Sequence, residues 1–486
     1  MTDLAAALQQ AFAAYQRGKL DDAERLCLAI RADATDEFDL HHLLGAIYAR
    51  RGRHREALAC FDEALKIRPH STTALSNRGN ALQDLGRSEE ALASYDRALG
   101  LQPDFTDALS NRGVTLREMG RIEEALASFE RVVAIRPDYP EALLNRGIVL
   151  HELGRVEAAL SSYDRALALR PDFVDCRFSR ALLLLLLGRV SEAWREYEWR
   201  KRRRGRLPRN FSAPEWTGED LRGKRIVLYA EQAFGDAIQF ARFALPVAAR
   251  GAEVILSVPQ PLTALLRSVD GVGAVVEAGR EPREIDFHQS LLSVPFVLGL
   301  GEAQIPSQVP YLRADPARIA VWSQRLPAEE RRVGIVWQGN PGADFDRRRS
   351  ILLAAFAPLA AVPGVRLLSL QKKDGLDQLA SLPADIPVDT LGEDFDVGPD
   401  GFLDTAAVIM QLDLVISADT AVAHLAGALG RPVWVVLADV PDWRWMLGRE
   451  DSPWYPTARL FRQRRRGDWD EVMTRVAAEL ASFARG

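Results

Sequence analysis

Hydrophobic and polar positions over the first 205 residues recur with a step of 34. Glycine stands at Gly18, Gly52, Gly86, Gly120, Gly154 and Gly188, and alanine keeps the same step at Ala23, Ala57, Ala91, Ala125, Ala159 and Ala193. Pro69, Pro103, Pro137 and Pro171 share the period, as do the aromatics Phe61, Tyr95, Phe129, Tyr163 and Tyr197, each four residues beyond an alanine. Each unit is predicted to be two helices. Glycine ends the first, alanine lets the second approach closely, the aromatic fills the space between them and proline ends the second. The first and last units lack the proline, as terminal caps of a stacked array do.

From about residue 224 the pattern changes to short apolar runs alternating with amphipathic stretches. RIVLYA (225–230), AEVILSV (252–258), RVGIVWQ (332–338), VRLLSLQ (365–371), LDLVIS (412–417) and RPVWVVL (431–437) are the predicted strands. Helices such as AIQFARFALPVAAR and TAVAHLAGALG fall between them, which predicts parallel sheets covered on both faces. The pattern restarts near 331, so two doubly wound halves are expected, with a cleft lined by the carboxyl ends of both sets of strands. The divisions read as 1–205 for the repeats, 206–223 for an aperiodic linker, 224–315 for the first half and 316–486 for the second. The terminal stretch DWDEVMTRVAAELASF is a helix able to pack on either half.

Composition narrows the class without deciding it. With 62 Lys and Arg against 67 Asp and Glu the net charge is −5, which gives no global reason to bind nucleic acid. The one basic run, 200–204, reads as a solvated junction ahead of a binding patch. Three cysteines, Cys27, Cys60 and Cys176, lack metal-ligand spacing, and a reducing, cytoplasmic setting is expected. The N-terminus lacks a secretory signal pattern, and the densest apolar run, at 181–188, is too short to cross a membrane.

The 34-residue unit resembles the tetratricopeptide repeat, with about six copies. Stacked units of that kind form a superhelix whose inner surface binds extended peptides or partner proteins. Asn77, Asn111 and Asn145 recur on the first helices, where an amide ladder suits bonding to a peptide backbone of any sequence. Copying by duplication is the alternative, since Arg78, Arg112 and Arg146 recur equally well. The same ladder is a feature of the eukaryotic protein O-linked N-acetylglucosamine transferases, which also place such repeats before a catalytic domain.

Candidate chemistry lies at strand ends. After the first strand comes AEQAFGDAI, with Glu231, Gln232 and the GlyAsp pair 235–236; a late strand leads through Asp419 and Thr420 into a small-faced helix beginning near Ala421 and carrying His424. Helix capping alone accounts for an Asp or Thr at such a turn. The first amides of the later helix also suit a pyrophosphate. Neither GxGxxG after a first strand nor GxxxxGK[ST] occurs, which disfavours dinucleotide oxidoreductases and P-loop enzymes. Asn340, Gln371 and Lys372 stand at other strand ends, with ligand and loop-bonding roles equally open. The tryptophans of DWRW (442–445) stack on a ligand or belong to the core. Asp344 and Asp346 read as solvated loop, and no metal set is placed by spacing.

GlyAsp at 235–236 together with SADTAVAHLAGALG resembles glycosyltransferase family 9, the heptosyltransferases. WQGNPG, RRRSILL, SLQK and VPDWRW are similar to the catalytic half of bacterial tetratricopeptide proteins of that broad class. The resemblance implies an α + α/β chain: a repeat solenoid followed by the paired Rossmann-like domains called GT-B. It implies inverting, metal-independent transfer of a sugar from a nucleotide-sugar substrate, with no cofactor. Asp236 then matches the acceptor base, and Asp419, Thr420, Ala421 and His424 the donor loop. Arg349 lies where the family tends to carry a lysine on the donor phosphate. Asn340, Gln371 and Lys372 are the further donor candidates, and Asn77, Asn111, Asn145, Glu231 and Gln232 the acceptor candidates. A carboxylate at a helix N-terminus is expected to keep a low pKa. The acceptor expected is a protein or peptide recruited by the concave face of the repeats. A non-catalytic adaptor with a degenerate catalytic half, and a lipid or saccharide glycosyltransferase, are the alternatives.

Overall fold

The computed structural model describes residues 2–31, 37–203, 205, 209–231, 233–301, 304–326, 330–342, 346–383 and 386–485. By its packing the chain divides into two units, Met1–Cys176 and Arg177–Gly486.

Helices come in pairs at the predicted spacing: α1 (Thr2–Gln16) with α2 (Leu20–Arg31), α3 (Phe38–Arg50) with α4 (His54–Ile67), and α5 (Thr72–Asp84) with α6 (Ser88–Leu101). α7 (Thr106–Glu118) with α8 (Ile122–Ile135), α9 (Pro140–Glu152) with α10 (Val156–Leu169), and α11 (Val174–Leu186) with α12 (Val190–Tyr197) complete the series. Every glycine of the period has φ between 69° and 79°, the left-handed region that ends the first helix of a pair. Inside the four central pairs a second glycine, unremarked by the sequence reading, admits the aromatic. A Cβ on Gly45, Gly79, Gly113 or Gly147 would come within 2.4–2.7 Å of the ring of Phe61, Tyr95, Phe129 or Tyr163.

The recurring arginines have a packing role. Arg78, Arg112 and Arg146 reach Ser94, Ser128 and Ser162, sixteen residues on, at 2.7–2.9 Å. The same guanidinium groups pair with Asp62, Asp96 and Glu130, sixteen residues back. Each arginine thus ties a first helix to the second helices on both sides of it. Their period needs no appeal to duplication, so it no longer competes with a separate role for the asparagines.

The second unit holds two parallel sheets. β1 (Arg225–Tyr229), β2 (Glu253–Val258), β3 (Ala274–Glu277) and β4 (Phe287–Ser290) pair in the order β3-β2-β1-β4. β5 (Arg331–Val336), β6 (Val365–Ser369), β7 (Leu414–Ala418), β8 (Val433–Leu437) and β9 (Ala458–Arg462) pair as β6-β5-β7-β8-β9. The strand order reverses beside β1 in one sheet and beside β5 in the other, and the loops there open the crevices of doubly wound folds. The arrangement is consistent with GT-B. The terminal helix Trp469–Arg485 packs on the second sheet, where Val472, Met473, Val476 and Leu480 join Val333, Ile335, Leu414 and Ile416 in one core.

Three expectations need correction. The segment 206–223, read as a linker, is tied down in its described part, 209–223: Glu215 pairs in parallel with His288, Trp216 N donates to His288 O at 2.8 Å, and the Trp216 side chain is fully buried. The basic run is a solvated junction only in part: Arg202 and Arg203 are exposed, but the first two residues of the run are paired. Arg200 is fully buried and donates to Glu231, Glu198 and Ser293 at 2.6–2.7 Å, while Lys201 pairs with Glu198 and Glu215. The unit boundary falls inside α11 and not at 205, because α12 belongs to the core of the second unit. Trp194 and Tyr197 meet Trp443 at 5.8 and 6.1 Å, and Trp194 meets Phe240 at 6.4 Å.

Candidate active site

The turn after β1 leads into the helix Phe234–Phe240, and the turn after β7 into the helix Ala421–Ala428. These two helix starts meet. A Cβ on Gly235 would lie 2.9 Å from His424 Cδ2 and 3.6 Å from Ala421 Cα, so the first half's glycine is what lets the second half's helix approach.

Asp236 sits in the first turn of its helix but does not cap it; Ala233 holds the N-cap position without a side-chain bond. The Asp236 carboxylate instead accepts from Arg444 Nη2, a residue of the opposite half. The expected low pKa is also corrected. Burial pushes the Asp236 carboxyl up from the ordinary range, against the pull of Arg444 and with added repulsion from Asp442 and Glu231.

Asp419 is buried beside the same group of charges. Burial and the Asp442 carboxylate push it up to about 6, against Arg349, a hydrogen bond from Trp445, and Arg444. Thr420 occupies the N-cap position of the following helix, but its hydroxyl pairs with Ser417 Oγ at 3.0 Å and makes no capping bond to the helix amides. His424 lies beneath the loop: Nδ1 meets Tyr455 Oη at 3.0 Å, Nε2 is 4.0 Å from Asp419 Oδ1, and the ring stacks on Trp445 at 5.2 Å. Burial, then Arg444, Arg242 and Arg349, hold His424 well below its ordinary pKa, so the imidazole is neutral. Arg349 therefore belongs to the electrostatic surroundings of both Asp419 and His424.

Other candidates have partners within the protein. Gln371 is buried and its amide is fully used: Oε1 accepts from Trp337 N and Gln338 N at 3.2 and 3.1 Å, and Nε2 donates to Gln338 O and Asp374 O at 2.9 and 2.8 Å. It shapes the strand-end loops and leaves no amide valence for a donor. Asn340 Oδ1 accepts from Gly342 N at 2.9 Å in a local turn, and Lys372 Nζ donates to Phe395 O. Glu231 takes Arg200 on both oxygens, at 2.6 and 3.2 Å, which ties the end of β1 to the segment after α12. Gln232 lies outside the described residues. On the repeats, Asn77, Asn111 and Asn145 are half-buried, and Asn77 Nδ2 donates to His42 Nε2 at 3.0 Å.

Arg444, Asp442 and Gln239 escaped the sequence reading, which considered DWRW only for its tryptophans. Those are core: Trp443 and Trp445 are 5% and 0% exposed. The available signal was position, since 438–446 follows β8 at the same sheet edge as the loops after β5, β6 and β7. Among the described residues no group of three or more His, Cys, Asp or Glu is placed to hold a metal ion, and no helix is long and apolar enough to cross a membrane.

The chain matches the tetratricopeptide repeat family over 36–104, 76–140, 111–172 and 144–198. Residues 388–465 match glycosyltransferase family 9 (heptosyltransferase), a span that includes Asp419, His424, Asp442 and Arg444. Over 291 residues the chain is 30% identical to Protein FlbA of Caulobacter vibrioides, covering 55% of this chain and 48% of that one. It thus spans about half the length of that curated relative. Among solved structures, YrrB, titled a TPR protein with an unusual peptide-binding site, is 23% identical, covering 36% of this chain and 91% of its own at a TM-score of 0.32. Pseudomonas aeruginosa pilF is 20% identical, covering 40% and 90%, at 0.37.

Proposed function

We propose that this chain, which joins tetratricopeptide repeats to a glycosyltransferase family 9 domain near its C-terminus, is an inverting glycosyltransferase acting on a nucleotide-sugar. The observation that carries the reading is the meeting of two helix starts, which brings Asp236 of one half within one shared charge group of Asp419 of the other. In the reaction the acceptor hydroxyl oxygen bonds to the anomeric carbon while that carbon's bond to the diphosphate breaks. The hydroxyl proton passes to Asp236 and the nucleoside diphosphate leaves. The hydroxyl turns strongly acidic only as it bonds to an oxocarbenium-like carbon, so an ionised carboxylate suffices as base, and one whose pKa burial has raised is better matched to the task. Charge growing on the diphosphate is met by the amides after Thr420 and by Arg349.

The acceptor is assigned as a protein or peptide held by the repeats. The arginine ladder explains its own period, which leaves the half-buried asparagines as the candidates for contact with a peptide backbone. Thermal shift of the full chain against a panel of nucleotide-diphosphate sugars tests the donor assignment. At least one donor should raise the melting temperature of wild type and not that of Thr420→Trp, which blocks the helix start; absence of any shift across the panel counts against donor binding.

A further inference from the structure

Arg444 stands in the loop after β8, in the opposite half from Asp236, and each guanidinium nitrogen has a partner. Nη2 donates to the Asp236 carboxylate, Nε to Gln239 Oε1 at 2.9 Å and Nη1 to Asp442 Oδ1 at 2.8 Å. Asp442 Oδ1 also accepts from Arg444 N at 3.0 Å, which fixes the loop that carries the arginine. Under the guanidinium plane lies the Trp443 ring at 4.3 Å, and Arg444 is 8% exposed. Two of the three partners, Asp236 and Gln239, lie on the helix Phe234–Phe240 one turn apart.

A buried ion pair of this kind adds little net stability compared with apolar packing of the same volume. What the planar fork supplies is orientation, which a lysine's single point charge does not. We propose that Arg444 is the positioning residue of the site: it fixes the Asp236 carboxylate from across the two halves, with Asp442 and Gln239 fixing the guanidinium in turn. This rests on the reading of Asp236 as acceptor base. It adds that the base is useful only when the second half's loop after β8 is docked against the first half's helix. Among the described residues the charged and titratable groups around Asp236 include Arg444, Asp442, Glu231 and Tyr197, with Asp419 and His424 at the start of the helix packed against its own. Arg444 favours the ionised carboxylate, and Asp442 and Glu231 oppose it.

The test uses the full chain carrying 13C-carboxyl aspartate, with the Asp236 resonance identified by its loss in Asp236→Asn. Arg444→Gln should move the Asp236 titration up by about one pH unit or more, Arg444→Lys by less, and Asp442→Asn should move it down. In transfer assays Arg444→Gln should lower kcat roughly 100-fold with the donor KM little changed. The acidic limb of kcat/KM should rise in step with the titration, and Arg444→Lys should recover part of the loss. A titration unmoved by either the Arg444 or the Asp442 variants overturns the proposal, as does a Lys variant no better than Gln with an unmoved limb. If Arg444→Gln does not fold, Asp442→Asn, which keeps the arginine, decides alone. A titration that moves in a protein that turns over no donor supports the positioning and removes the glycosyl-transfer reading, so the two failures are distinguishable.

Discussion

At the scale of single residues, the site is built from groups held away from their ordinary ionisation. Asp419 has a folded pKa of about 6, above the ordinary 3.8. Between these values the folded chain holds a proton that the unfolded chain does not, so this residue's contribution falls as pH rises and is lost above about 6. Above pH 7 the buried charge costs stability. Asp419→Asn should therefore raise the midpoint of denaturant unfolding near pH 7.5, and the gain over wild type should vanish below about pH 4. His424 works in the opposite sense. Depressed in the folded state, it draws stability down as pH falls through its ordinary 6.5, but this cancels in the comparison because both proteins carry it. An Asn variant equal to or less stable than wild type at pH 7.5 would show that Asp419 is not a strained group.

At the scale of elements, what was legible followed burial. The six predicted strands are those whose residues face apolar cores, and the middle of each run is mostly apolar. β3 (AVVE) and β4 (FHQS) are the edges of the first sheet, one short and half-exposed, the other polar, and β9 (ARLFR) carries two arginines at an edge of the second sheet. None offers the continuous apolar run that marks a buried parallel strand. Similarly, the solvated reading of 200–204 failed at Arg200 because charge in a sequence says nothing of a partner 31 residues away, which is where Glu231 takes Arg200. This bears on truncation. A piece beginning at residue 206 loses Trp194 and Tyr197, each worth about 3–5 kcal/mol if deleted from a core. It also strands Glu231 without its cation, for about 3–5 kcal/mol more. The sum reaches the 5–15 kcal/mol by which domains are usually stable. Residues 174–486, keeping α11 and α12, should melt cooperatively by circular dichroism, and residues 206–486 should not. Equal cooperativity would return α12 to the repeats alone.

At the scale of the whole molecule, the sequence carried the repeat period, the two-halved α/β region and the places of Asp236 and Asp419, because glycines, strand ends and helix starts leave local signatures. The Asp236–Arg444 pair left none, its partners being 208 residues apart and joined only by the meeting of the two halves. The proposed activity is sugar transfer with Asp236 as acceptor base. It is tested most directly by nucleoside diphosphate release from the donor panel, comparing the wild-type full chain with Asp236→Asn under saturating donor. At least one donor should be turned over by wild type, and the substitution should lower kcat by roughly 10²–10⁴-fold while donor binding, followed by thermal shift, is retained. Turnover of no donor by wild type, or equal turnover by Asp236→Asn, would contradict it.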